Sequence, residues 1–86
     1  MEDVRPCAEQ GNASAQAGLG LMYASGMGVP EDLVLAHMWL NLAAARGNDI
    51  VTETGNELKD LTEARMTREQ IAEAQRMSRE WIEAHR

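Results

Sequence analysis

Nucleophilic catalysis needs a nucleophile, a base to activate it and a third group to orient the base. The candidates here are one cysteine, Cys7, and two histidines, His37 and His85. Cys7 follows Pro6 near the start of the chain, and the histidines fall on separate expected helices, so the three make no catalytic pair. His37, with Asn41 four residues on, reads as a polar stripe along an otherwise apolar helix, and His85, beside the last residue, as solvated and frayed. Carboxylates are better organised: Asp49, Glu53, Glu57 and Asp60 cluster within roughly 80° of a helical wheel. They sit on a helix rather than in a ligand loop and lack a Glu-x-x-His partner, which points to a solvated or recognition face and not to a metal site. Among the cations, Arg76 is spaced to meet Glu73 and Glu80, and Arg79 to meet Glu83. That leaves Arg65 and Arg68 without such partners, too few to track phosphates. Gly26-Met27-Gly28 lacks the glycine pattern and the lysine of a phosphate loop. No catalytic residue, metal or cofactor is expected.

The elements that carry these residues are helices. The apolar content of 44% is mostly Ala, Leu and Met, with only four Val and three Ile, a composition that favours helix over sheet. Ala13 to about Ala24 reads as a first helix, with Gln16, Leu19, Gly20 and Tyr23 on its inner face. Ser14, Ala17, Gly18, Leu21 and Ser25 lie opposite; all but Leu21 are small, so another backbone can come close there. Gly26 and Gly28 allow positive φ in the turn that follows, and Pro30, Glu31 and Asp32 start the second helix. That helix, to about Arg46, is apolar nearly all round and so expects neighbours on several sides. A third helix, about Asp49 to Ala64, is amphipathic, with Ile50, Val51, Leu58 and Leu61 adjoining the acidic sector and Gly55 weakening its middle. The fourth opens on the capping box Thr67-Arg68-Glu69-Gln70 and is expected to bury Ile71, Ala74, Gln75, Ser78, Trp81 and Ile82.

Eighty-six residues with 8 basic against 14 acidic side chains carry a net charge of −6, which disfavours nucleic acid and anionic membrane surfaces as partners. A chain this short buries only roughly 60–65% of its unfolded surface, so self-association is expected, as a homodimer or a larger oligomer. With no signal-like or membrane-spanning run and a single cysteine, the expected location is the cytoplasm, or the periplasm if a leader was removed.

Cys7-Ala8-Glu9-Gln10-Gly11-Asn12 and Ala43-Ala44-Ala45-Arg46-Gly47-Asn48 share Ala, Gly and Asn 36 residues apart. Each reads as a helix end with glycine in the left-handed stop position and asparagine opening the next helix. Between these marks run Ala15-Gln16, Leu19-Gly20, Met22-Tyr23, Gly26, Gly28-Val29, Asp32, Ala36, Trp39, Ala43-Ala44 and Gly47. This string resembles a Sel-one-like repeat, a relative of the tetratricopeptide repeat. The resemblance implies an all-α, right-handed superhelix fragment of two stacked antiparallel helical hairpins. In that frame residues 1–86 are one domain: 1–10 the tail of a partial preceding unit, 11–47 a complete repeat, and 48–86 a degenerate capping hairpin of the kind that often closes bacterial members. Gly11, Leu19, Gly20, Tyr23, Gly26, Gly28, Asp32, Ala36, Trp39 and Gly47 carry the repeat motif. Gly20 is expected to meet the Ala36 to Trp39 turn of the second helix, with Tyr23 and Trp39 filling the space beside it. The resemblance further implies a non-enzymatic adaptor or scaffold that binds protein or peptide. Its binding surface would be Ser14, Ala17, Gly18 and Leu21, with Glu53, Glu57 and Asp60 steering a basic or polar peptide. Some secreted, cysteine-rich relatives are linked to β-lactam binding or hydrolysis; their paired cysteines are missing here.

Overall fold

A computed structural model describes residues 12–47 and 49–85. It holds four helices: α1 (Ala13–Ser25), α2 (Leu33–Arg46), α3 (Asp49–Glu63) and α4 (Arg68–Ala84). Their starts follow local chemistry. The Asn12 side chain accepts from the Ala15 amide at 2.9 Å and Asp32 from the Leu35 amide at 3.1 Å, each satisfying one of the donors that a first turn leaves open. Thr67 and Gln70 form the reciprocal capping box, with the Thr67 amide donating to Gln70 Oε1 at 2.9 Å and the Gln70 amide to Thr67 Oγ1 at 3.1 Å. Gly26 and Gly28 take φ of +74° and +80°, and the Asp32 amide reaches back to the Tyr23 carbonyl at 3.0 Å, closing the α1–α2 turn.

The end of α2 departs from expectation. Gly47 is extended, at φ −79° and ψ 169°, rather than left-handed. The Thr52 hydroxyl, donating to the Ala44 and Gly47 carbonyls at 3.0 and 3.2 Å, supplies the capping that a left-handed glycine otherwise organises. Gly11, Asn48 and Cys7 lie outside the described residues.

Helix α2 is the hub. α1, α3 and α4 all pack on it, and α1 also meets α3; α2 is thus the wall shared by the two helical hairpins of a tetratricopeptide-like, all-α fold. Ala36, Leu40, Leu42 and Ala43 have no exposed surface, which is why the helix is apolar nearly all round. Leu19, Met38, Trp39 and Leu42 form the core cluster, joined by Tyr23 of α1 and by Met77, Trp81 and Ile82 of α4. Trp39 and Trp81 meet edge to face, ring centres 6.0 Å apart. α4 buries Ala74 and Ser78, but Gln75 is exposed and Met77, on the other side of Ala74 and Ser78, packs against the core in its stead. His85, though exposed, stacks on Trp81 at 3.8 Å and places Nδ1 2.8 Å from the Trp81 carbonyl, so it is held rather than frayed.

Two glycines set the helix spacing. A Cβ on Gly20 would come 2.7 Å from Leu40 Cγ and 3.1 Å from the Ala36 carbonyl; the close approach falls on the second helix as expected, reaching Leu40. A Cβ on Gly55 would stand 3.3 Å from the Leu40 carbonyl and 3.4 Å from Ala44. Gly55 therefore lets α3 lie close on α2, a return for the helix propensity it forgoes.

Candidate functional site: an apolar groove between α1 and α3

The polar stripe of α2 decides how α3 is turned. His37 is 1% exposed, and its Nε2 lies 2.7 Å from Glu63 Oε1. Four residues on, Asn41 Oδ1 accepts from Lys59 Nζ at 3.3 Å. A buried polar side chain needs a partner, and α3 provides two by laying its polar, small face on α2: Gly55 and Thr62 are buried and Lys59 is partly so. The apolar sector of α3 is left to face elsewhere. Leu61 is 68% exposed and Leu58 half-buried.

This orientation creates a groove with a cavity volume of about 210 Å³. Leu21, Ala24 and Ser25 of α1 form one wall, Leu58, Leu61 and Thr62 of α3 the other, with Leu40 at the floor and Arg65 at one end. Both hydroxyls in it turn back on their own helices, Ser25 to the Leu21 carbonyl at 2.9 Å and Thr62 to the Leu58 carbonyl at 2.7 Å, so the polar atoms of the lining are spent and the surface is apolar. Arg65 is not the unpartnered cation that its local sequence suggests. Its guanidinium reaches the Ala24 carbonyl at 3.3 Å and Glu31 at 3.0 Å, and Glu31 is 34 residues away, beyond any helical spacing. Arg76 is bound by Glu73 and Glu80 as its spacing predicts, and the hydrogen bond to Glu73, with the charge of both acids, raises its pKa above the ordinary arginine value.

Of the residues singled out from the sequence, Leu21 is 49% exposed and lines the groove. Ser14 is exposed, and Ala17 and Gly18 are half-buried on the same helix, with no atom within 4 Å of the place a Gly18 Cβ would take. Glu53, Glu57 and Asp60 are exposed on the flank of α3 beyond the groove. Sequence reasoning missed Leu58, Leu61, Ala24, Leu40 and Arg65. The available signal was the conflict between a polar stripe on α2 and an apolar sector on α3, which cannot face each other. No group of His, Cys, Asp or Glu suited to a metal ion occurs among the described residues, and no described helix is long and apolar enough to cross a membrane.

Removing one partner of the buried pair leaves the other unsatisfied. His37 Nδ1 is already buried without a hydrogen bond, so Glu63→Ala leaves neither ring nitrogen bonded and is expected to cost about 1–3 kcal/mol. The double variant His37→Leu with Glu63→Ala is expected to recover part of that loss, since the polar group is gone as well. Urea unfolding measures both, and a Glu63→Ala variant as stable as the parent overturns the assignment of the pair.

Four helices packed in hairpins on a hub helix, with no strand among the described residues, define a tetratricopeptide-like helical-repeat fold. The particular repeat is indicated by comparison with known families: residues 13–48, which span α1 and α2, match the model of the Sel1 repeat. Sel1 repeats are in general protein-interaction modules and are typically non-catalytic. No curated protein and no solved structure matches the chain.

Proposed function

We propose that this chain is a non-enzymatic adaptor or scaffold module that holds a segment of a partner protein in the groove between α1 and α3. The observation that carries this reading is the turning of α3. The fold places the polar side of that helix against α2 and leaves Leu61 exposed opposite Leu21, an apolar pair that water does not favour and a partner can cover. Leu21→Glu and Leu61→Glu are surface changes, so helix content by circular dichroism should stay that of the parent. Capture of a cellular partner, cross-linked and quantified, should fall by about tenfold or more with either variant, the loss expected when a charge enters the apolar centre of an interface. Capture unaltered by both variants sinks the reading.

Self-association is the second reading, supported by the open surface at Gly18 with Ala17 and Ser14 beside it, where a second copy could stack end-on and leave the groove free. Light scattering across a concentration series tests it; a monomer at every concentration rejects it.

A further inference from the structure

Resting on that reading, we infer that the segment received by the groove is a cationic amphipathic one, with apolar side chains seated between Leu21 and Leu61 and lysines or arginines over the outer flank of α3.

The charge around the groove is one-sided. Residues of a helix are spaced about 100° apart, so α3 has three sectors in succession: Gly55, Lys59 and Thr62 toward α2, Leu58 and Leu61 toward the groove, and exposed Glu57, Glu53 and Asp60 on the outer side. The apolar strip thus has an acidic border, and the border is not neutralised from within. Lys59, the only cation in α3, is turned the other way, onto Asn41. Both walls also end here: Ala24 and Ser25 stand in the last turn of α1, and Leu61 and Thr62 in the last turn of α3. Neither last turn contains a basic residue of its own, and helix carboxyl ends carry partial negative charge that favours cations; at α1 Arg65 answers it from outside the helix.

Arg65 shows the chemistry at work. The one guanidinium in the groove lining takes a carbonyl of the last turn of α1 and a carboxylate; with that end of α1 occupied, the acidic border of α3 is what remains open to a partner's cations. A second copy of this chain is the poorer occupant, because two molecules of net charge −6 repel as they approach.

Two helical peptides of equal length and identical leucine spacing, one with lysines and one with glutamates on the polar face, test the inference by fluorescence anisotropy with the full chain. The lysine peptide should bind about tenfold tighter or better, and the margin should shrink as salt is raised. Reversing the border with Glu57→Lys and Asp60→Lys should remove that preference. The neutral pair Leu21→Ser and Leu61→Ser should weaken the lysine peptide by about tenfold, with helix content confirming that these exposed changes leave the fold intact. Equal binding of both peptides, lost with the serine variants, overturns the cationic preference and keeps the groove. A lysine preference untouched by the serine variants overturns the groove reading as well, since the acids then act as a general surface. Failure of both peptides, with self-association that the serine variants abolish, replaces the cationic segment with a second copy.

Discussion

Replacing Gly20 by valine is expected to destabilise the chain more than any other glycine substitution in its helices. The cause is steric. A Cβ at this position falls 2.7 and 2.9 Å from two carbons of Leu40, closer than such contacts allow, and a tight 3.1 Å from the Ala36 carbonyl oxygen. Leu40 has no exposed surface and so no solvent into which to swing, and the Ala36 carbonyl is held in the backbone of α2. α1 and α2 must therefore move apart. For alanine, overpacking costs about 1–3 kcal/mol, offset by roughly 1 kcal/mol of helix propensity. Valine adds two methyl groups to the same contact and a poorer propensity. A chain of this length has about 4–13 kcal/mol to lose. Gly18→Ala is the control: two residues earlier on the same helix, its Cβ meets nothing within 4 Å, and it should gain about 0.5–1 kcal/mol. In urea, Gly18→Ala should raise the midpoint, Gly20→Ala lower it and Gly20→Val lower it further; a Gly20→Val midpoint at or above that of the parent would mean that α1 and α2 do not approach as described.

The contrast between these glycines shows where sequence suffices. Gly20 stands in line with Gln16, Leu19 and Tyr23, so the helical spacing alone assigns it to the inner face, and Gly18 falls to the outer face by the same rule. The helix starts were equally legible, because Asn12, Asp32 and Thr67 cap through bonds three residues long that need no tertiary context. Gly47 was not. Its sequence context matches a left-handed stop, but Thr52, five residues on, reaches the Ala44 carbonyl of the last turn as well as that of Gly47, and the backbone is free to stay extended.

The groove was legible only in half. Leu21 stands out on α1 because its neighbours on that face are small. On α3 a helical wheel finds the apolar sector and the acidic sector but cannot tell which side meets α2. That choice lies in pairs separated by 18 and 26 residues, Lys59 with Asn41 and Glu63 with His37. Gly55, which from its propensity alone weakens the helix, brings α3 near enough for both pairs to form. His37 and Asn41, read as a polar stripe, thus have a second consequence: they keep Leu58 and Leu61 from being consumed in the core.

Trp39→Ala is expected to cost about 3–5 kcal/mol, the range for emptying a large buried aromatic site, and the loss should be uneven along the chain. Trp39 is 7% exposed and sits in the core cluster of α2, where its ring meets the edge of Trp81 from α4. α1 and α3 have other attachments to α2: the Gly20 contact with Leu40, the Gly55 contact with Ala44, and the two polar pairs. What joins α4 to α2 is the side of α4 that carries Met77, Ser78, Trp81 and Ile82, with the Ser78 hydroxyl 3.5 Å from the Met38 carbonyl as its polar contact. Emptying the Trp39 site removes the wall against which that side packs. Hydrogen exchange should therefore show protection lost first across residues 68–84, while the amides of α1 and α2 near Gly20 exchange later. Trp81→Ala should produce the same order with a smaller loss, because Trp81 is only partly buried. Uniform loss of protection across all four helices would show instead that the chain opens as one unit, with α4 integral to the hairpin that precedes it.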